Sequence, residues 1–291
     1  MIKNFKVYAL ITILVAIILT AVSTASLFLS YDAEIGYFKL SAITIIRDVL
    51  HVLTVIAFII LAFSIEKSKY KALRKPTSLP FQCTAYVCSI MYICAGALIY
   101  ISSNIANPRL NAITLMLTLI SALFFISMTS KKENFGSSLA LFSIVIALCS
   151  TAVLISVYFN MKITMNSHNK LLSSAVLMSS MIAFLLDARI HLNRQLPRLY
   201  LLFLMVTGTL GSSFVLSRMI YVISSSLSAF ERIPLILENY GFMAIIFASA
   251  IYSISRIPTF YNTNEFKDAV YNNVENVLSG AQNEKTNSEE K

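Results

Sequence analysis

Charge is what this sequence has least of. Only 13% of its 291 residues are charged, against 57% that are hydrophobic, and its mean hydropathy is +0.74. A water-soluble domain carries roughly 25% charged residues, so about half the ordinary supply is left to cover a surface. That excludes an ordinary soluble globule and makes lipid the expected solvent. Motifs for metal and redox chemistry are missing too. Cys83, Cys88, Cys94 and Cys149 form no CxxC pair and have no histidine at zinc-finger spacing. Buried thiols in apolar helices are the expected outcome, and no cofactor is expected. The chain has no phosphate-binding loop, nucleophile elbow or HExxH sequence. No lysine falls within an expected span, which excludes a retinal Schiff base. An enzyme is therefore not the first expectation.

What the chain does have is length of apolar sequence. Blocks run Val7–Ser30, Leu40–Ile65, Phe81–Ser102, Leu110–Ser130, Ser137–Met161, Leu171–Leu186, Leu199–Ser224 and Ile233–Ser255. About 20 helical residues cross a hydrocarbon core. Seven blocks meet that length, and the sixth must borrow residues at its ends. Pro76 and Pro80 fall between blocks two and three, and Pro108 between three and four. Pro197 precedes block seven, Pro234 opens block eight and Pro258 follows it. No block is interrupted, so each is expected to run as an unkinked helix. The expected fold is an all-α, polytopic transmembrane bundle of about eight spans occupying 1–256.

Lysine and arginine set the orientation. With the N-terminus inside, the cytoplasmic segments hold Lys3 and Lys6; Lys67, Lys69, Lys71, Arg74 and Lys75; Lys131 and Lys132; Arg189, Arg194 and Arg198; then Arg256, Lys267, Lys285 and Lys291. Each inside segment carries at least two, so both termini are expected in the cytoplasm. The net charge of +9 is thereby a property of membrane loops, and no nucleic acid partner is expected. An alternative for block one is a signal peptide, with Lys3 and Lys6 as the basic region and Ser23-Thr24-Ala25 as the cleavage site. The apolar run continuing through Ser26–Ser30 argues against it.

From Ile257 the composition changes. Asn262 and Glu265 form a capping box, and Phe266, Val270, Val274, Val277 and Leu278 recur at helical spacing before Gly280. The tail 257–291 is thus expected to hold a short amphipathic helix over 263–279 and then to be disordered. That helix is the expected contact for a cytoplasmic protein partner, beside the lipid bilayer itself.

Charges within spans are costly and mark functional candidates. Arg47 and His51 share one face of block two, with Asp48 on the adjacent stripe. Arg218 in block seven and Glu238 in block eight fall at a similar depth, about 8–10 Å below the outer ends by helical rise. One outer-layer cluster of Arg47, Asp48, His51, Arg218 and Glu238 is expected, with formal charge cancelling. It is either an ion-paired packing network or a site for a polar ligand, with His51 as a candidate proton relay. A second, inner-face group comprises Asp187, Arg189 and His191, with Arg194 nearby; Asp187 is expected to pair with Arg74 or Arg198. His168, beside Asn166 and Asn169, is expected to be solvated in an outside loop. In block seven, Gly208 and Ser212 form a small-xxx-small pair that favours close helix packing.

The first outside loop reads Tyr31-Asp32-Ala33-Glu34-Ile35-Gly36-Tyr37-Phe38. Aromatics at that position are expected to anchor the membrane interface. Together with the preceding span it resembles uncharacterised bacterial multi-pass membrane proteins, which implies a plasma-membrane location. The leading functional expectation is a membrane-embedded binding, sensing or accessory protein. A small-solute or ion transporter using the outer cluster, and an intramembrane lipid-modifying enzyme with His51 or Glu238 as acid–base group, are the alternatives.

Overall fold

The structure is a computed structural model that describes residues 5–33, 35–66, 69–101, 108–129, 136–160, 163, 167–225, 227, 229–237 and 239–263. Of these, 81% are helical. The helices are α1 (Phe5–Ser30), α2 (Ala42–Phe63), α3 (Leu79–Ile101), α4 (Pro108–Thr129), α5 (Gly136–Tyr158), α6 (His168–His191), α7 (Pro197–Ser224), the single turn α8 (Ala229–Arg232) and α9 (Tyr240–Arg256). All but α8 belong to segments long and apolar enough to cross a membrane. This is the architecture of a multi-pass membrane protein.

Helix ends in lipid leave backbone N–H groups without water, so the chain supplies partners. Ser41 and Thr44 form a reciprocal capping box at α2. The Ser167 hydroxyl accepts from the Lys170 amide at α6, and the Asn239 side chain accepts from the Gly241 amide at α9. Pro108 and Pro197 open α4 and α7, where a missing N–H costs nothing. Within the spans, Thr12, Thr54, Thr114, Ser121 and Ser253 donate their hydroxyls to carbonyls one turn back.

The long helices pack in series from α3 through α4 and α5 to α6, while α7 contacts α1, α2, α6 and α9. α7 is the most enclosed span, with 83% of its apolar window buried; α2 has only 22% buried and lies at the periphery. The enclosed stripe of α2 is Thr44, Arg47, His51, Phe58 and Ala62. Its other faces expose Ile45, Ile46, Val49, Val52, Leu53, Ile56 and Ile60, an apolar surface that water would not tolerate. Gly208 and Gly211 on α7 permit close approach. A Cβ at Gly208 would lie 2.7 Å from the Ile254 side chain, and one at Gly211 would lie 2.9 Å from Ala250 Cβ.

Two small antiparallel ribbons close opposite ends of the bundle. At one end β1 (Tyr31–Asp32) pairs with β2 (Tyr37–Phe38). The turn between them puts Gly36 at φ 72, against Pro234. At the other end, β3 (Tyr70–Ala72) pairs with β4 (Phe260–Asn262), which follows a 3₁₀ turn at Ile257–Thr259. Ile257 and Phe260 are buried, so the chain just past α9 stays packed on the bundle. The tail helix expected over 263–279 lies, beyond Thr263, outside the described residues.

One expected boundary holds and one is corrected. The sixth block borrows residues at both ends: α6 reaches from His168 to His191, and its polar first turn is capped by Ser167. The eighth does not begin at Ile233. Ile233–Leu237 form irregular turns, with Pro234 among them, and the helix starts only at Tyr240. Leu235 and Leu237 in that stretch are fully buried, and Leu237 sits at φ 55, uncommon for a side chain of its size. The eighth span thus starts later than expected, as one uninterrupted helix from Tyr240 that the 3₁₀ turn at Ile257–Thr259 continues.

Candidate functional site

Buried polar side chains gather at both ends of the bundle. At the hairpin end, Arg47 is 2% exposed. Its Nη1 donates to Ser26 Oγ on α1 at 2.7 Å, and its Nε donates to Asp48 Oδ1 at 2.9 Å. The Phe38 ring of the hairpin covers the guanidinium at 4.1 Å. One turn along α2, His51 Nδ1 lies 2.8 Å from the Arg47 carbonyl. That carbonyl needs a donor, so the neutral ring carries its proton on Nδ1 and Nε2 is left as an acceptor without a partner.

His168 joins this group. It was expected to be solvated, but it stands in the first turn of α6, only 21% exposed, with Nδ1 3.3 Å from Asp48 Oδ1. Its ring lies 6.0 Å from that of His51 and edge-on to Phe38 at 5.5 Å. Lys170 is buried in the same turn, with Nζ donating to the carbonyls of Asn160 and Ile163. The expectation that no lysine enters a span fails for the same reason: the apolar run begins at Leu171, but the helix begins earlier.

Arg218 on α7 is 1% exposed. It donates to Asn169 Oδ1 at 2.7 Å, to Ser217 Oγ and to the Phe214 carbonyl, and its guanidinium lies 3.8 Å from the Phe214 ring centre. None of these partners carries a charge. Arg218 is also close enough to Arg47 and Tyr31 for electrostatic coupling. Its Nε, the Asn169 Nδ2 and the Tyr31 hydroxyl are buried without acceptors. Burial pushes the Tyr31 phenol well above its ordinary pKa, so it remains a donor. Glu238, expected to balance the charge, lies outside the described residues. Among the described residues the cluster holds two buried arginines and one carboxylate, Asp48, whose side chain is 54% exposed and shared between Arg47 and His168.

The group at the other end is the opposite case. Asp187 on α6 is fully buried. Its Oδ1 accepts from Tyr200 at 2.6 Å and from Arg256 Nε and Nη2 at 3.2 and 3.1 Å. Its Oδ2 accepts from Ser143 and Tyr252, and His191 Nε2 lies 3.4 Å away. The partner of Asp187 is therefore Arg256, neither Arg74 nor Arg198. Arg74 contributes only its carbonyl, to Arg256 Nη2, and Arg198 donates to the Ile65 carbonyl. Arg189 is exposed and bonds the Arg194 carbonyl, so it does not join. Arg256 was missed because it follows an apolar run like any loop cation. Tyr252, one turn earlier and facing the same carboxylate, was the available signal.

No family model matches this sequence, and neither curated proteins nor solved structures give a match.

No group of His, Cys, Asp and Glu able to hold a metal occurs among the described residues. The two ends differ in charge balance. Asp187 is saturated by donors and paired with one arginine, an anchor for α6, α7 and α9 that leaves Arg256 Nη1 without an acceptor. Among the described residues, the hairpin-end group carries excess positive charge and three buried donors, Arg218 Nε, Asn169 Nδ2 and the Tyr31 hydroxyl, without acceptors. Of the two groups, the hairpin-end one is the better suited to an anion, because its arginines outnumber its described carboxylate.

Proposed function

We propose that the chain is a plasma-membrane binding protein that takes a small anion in the hairpin-end site, on the outer side of the membrane. One observation carries this reading: Arg218 is buried with no carboxylate among its described partners. An uncompensated buried cation costs several kcal/mol. An anion seated among Arg218 Nε, Asn169 Nδ2 and Tyr31 would supply the missing charge and acceptors together. The orientation follows from loop cations, with the β3–β4 end in the cytoplasm. The test is thermal unfolding of purified protein in detergent with inorganic phosphate, sulfate or acetate. At least one should stabilise the wild type in a saturable way, and Arg218→Gln should abolish the shift. If none does, the reading fails.

Transport of the same anion is the second reading. It is favoured by the irregular backbone of Ile233–Leu237 that leads into the eighth span, with Leu235, Ile236 and Leu237 buried, since non-helical backbone inside a bundle is tolerated where it lines a site. Proteoliposome uptake separates the two: transport requires accumulation that Glu238→Gln abolishes in a folded protein, whereas binding alone requires none.

A further inference from the structure

The β3–β4 end contains a cleft of about 700 Å³. It lies within the roughly 300–1,000 Å³ range of sites for organic ligands, well above what a bare ion needs. Three cations, Lys71, Arg74 and Lys75, line it along a single strand and its exit, and no Asp or Glu is among its described lining residues. His191 at the end of α6 and Asn193 in the turn after it contribute, while Leu139 and Pro197 supply apolar wall. We propose that this cleft binds a phosphate-bearing organic ligand, a phospholipid headgroup or a soluble phosphate ester.

Charge and preorganisation both support the assignment. Lys71 and Arg74 alone match the up to two negative charges of a phosphate, and Lys75 lines the same cleft. The wall itself is fixed from three sides. Ala72 exchanges two hydrogen bonds with the Gln195 side chain, at 2.9 and 3.1 Å. The Leu73 amide donates to the Thr259 carbonyl at 3.0 Å, and the Arg74 carbonyl accepts from Arg256 at 3.3 Å. A backbone held this way presents its cations without ordering a loop on binding, which lowers the entropic cost. Arg256 thus serves the cleft as a positioning residue, through the carbonyl that it holds. The cleft lies at the opposite end from the hairpin site, so this inference does not depend on the proposed function.

The experiment uses full-length protein in nanodiscs and the variant Lys71→Gln/Arg74→Gln/Lys75→Gln, whose altered side chains are exposed or half-buried. One arm measures retention of phosphatidic acid against phosphatidylcholine by native mass spectrometry. The other measures glycerol 3-phosphate binding by calorimetry. Binding in either arm that falls at least tenfold in the triple variant, while surviving Arg218→Gln, supports the cleft and identifies the source. Binding lost in Arg218→Gln but kept in the triple variant would place it at the hairpin end and overturn the proposal. So would wild-type protein that shows neither interaction, or a triple variant within twofold of it.

Discussion

Asp187 and Arg256, 69 residues apart in sequence, meet at 3.1 Å with side chains 1% and 0% exposed. Their contact ties the middle of the bundle to its last helix. Tyr200 and Tyr252 complete the carboxylate's shell, and Tyr252 in turn stacks on Phe184 at 5.4 Å. A pair in such surroundings is not itself a large source of stability, because desolvating both charges offsets most of their attraction. Breaking it is another matter, since one partner is left buried and uncompensated.

Asp187→Asn and Arg256→Gln should therefore each destabilise the protein by about 3–5 kcal/mol. Asp187→Leu combined with Arg256→Met should recover a large part of that loss. Reversible unfolding in mixed micelles, read by circular dichroism, gives the four corners of the cycle. Additive losses would mean that the two side chains do not act as a unit.

The α7–α9 seam makes a steric prediction. A methyl at Gly211 would meet Ala250 Cβ at 2.9 Å and Val176 Cγ1 at 3.3 Å. Gly211→Ala should cost about 1–3 kcal/mol through overpacking. Adding Ala250→Gly removes the nearer of those atoms and should restore most of the loss in the same unfolding assay. Failure of the second change to rescue would place the strain elsewhere.

Span number was legible because hydrocarbon imposes a length and an apolar composition that few sequences satisfy by accident. Arg47 and His51 were legible as a pair because helical spacing puts them on one stripe, and that stripe is the enclosed face of α2. Depth alone brought Arg218 into consideration, and the structure adds its neutral partners. His168, Lys170 and Arg256 were hidden by one cause. Each sits in the first or last turn of a span, where hydropathy drops and a residue reads as loop, yet Lys170 and Arg256 are buried in the bundle and His168 mostly so. The break before Tyr240 was hidden by the reverse: Ile233–Leu237 is apolar enough to read as helix, although Pro234 and the backbone at Leu237 prevent it.

The hairpin acts as a cover over the outer site. Phe38 lies over Arg47 and edge-on to His168, which is the least buried of the three histidines. Phe38→Ala removes a cation–π contact of about 0.5–2 kcal/mol and uncovers the ring of His168. Modification by diethylpyrocarbonate, mapped by mass spectrometry, should quicken several-fold at His168 and stay slow at His51 and His191. Equal acceleration at all three would indicate general unfolding instead.

Orientation yields the last prediction, and the side chains sharpen it. The β3–β4 end displays Lys69, Lys71, Arg74, Arg189 and Arg194, all exposed. At the hairpin end, Arg47, Lys170 and Arg218 are each under 4% exposed. They are committed to the interior and weigh little as loop charges, leaving Lys39, 73% exposed, and the half-buried Arg232 as the cations displayed there among the described residues. The asymmetry is thus steeper than a count along the chain conveys, and it favours the β3–β4 end inside. In a background whose native cysteines are replaced by serine, Lys39→Cys should label with an impermeant maleimide on intact cells. Lys71→Cys should label only after the membrane is opened. The reverse pattern would put the basic cleft outside and the anion site within, so that each would meet ligands of the other compartment.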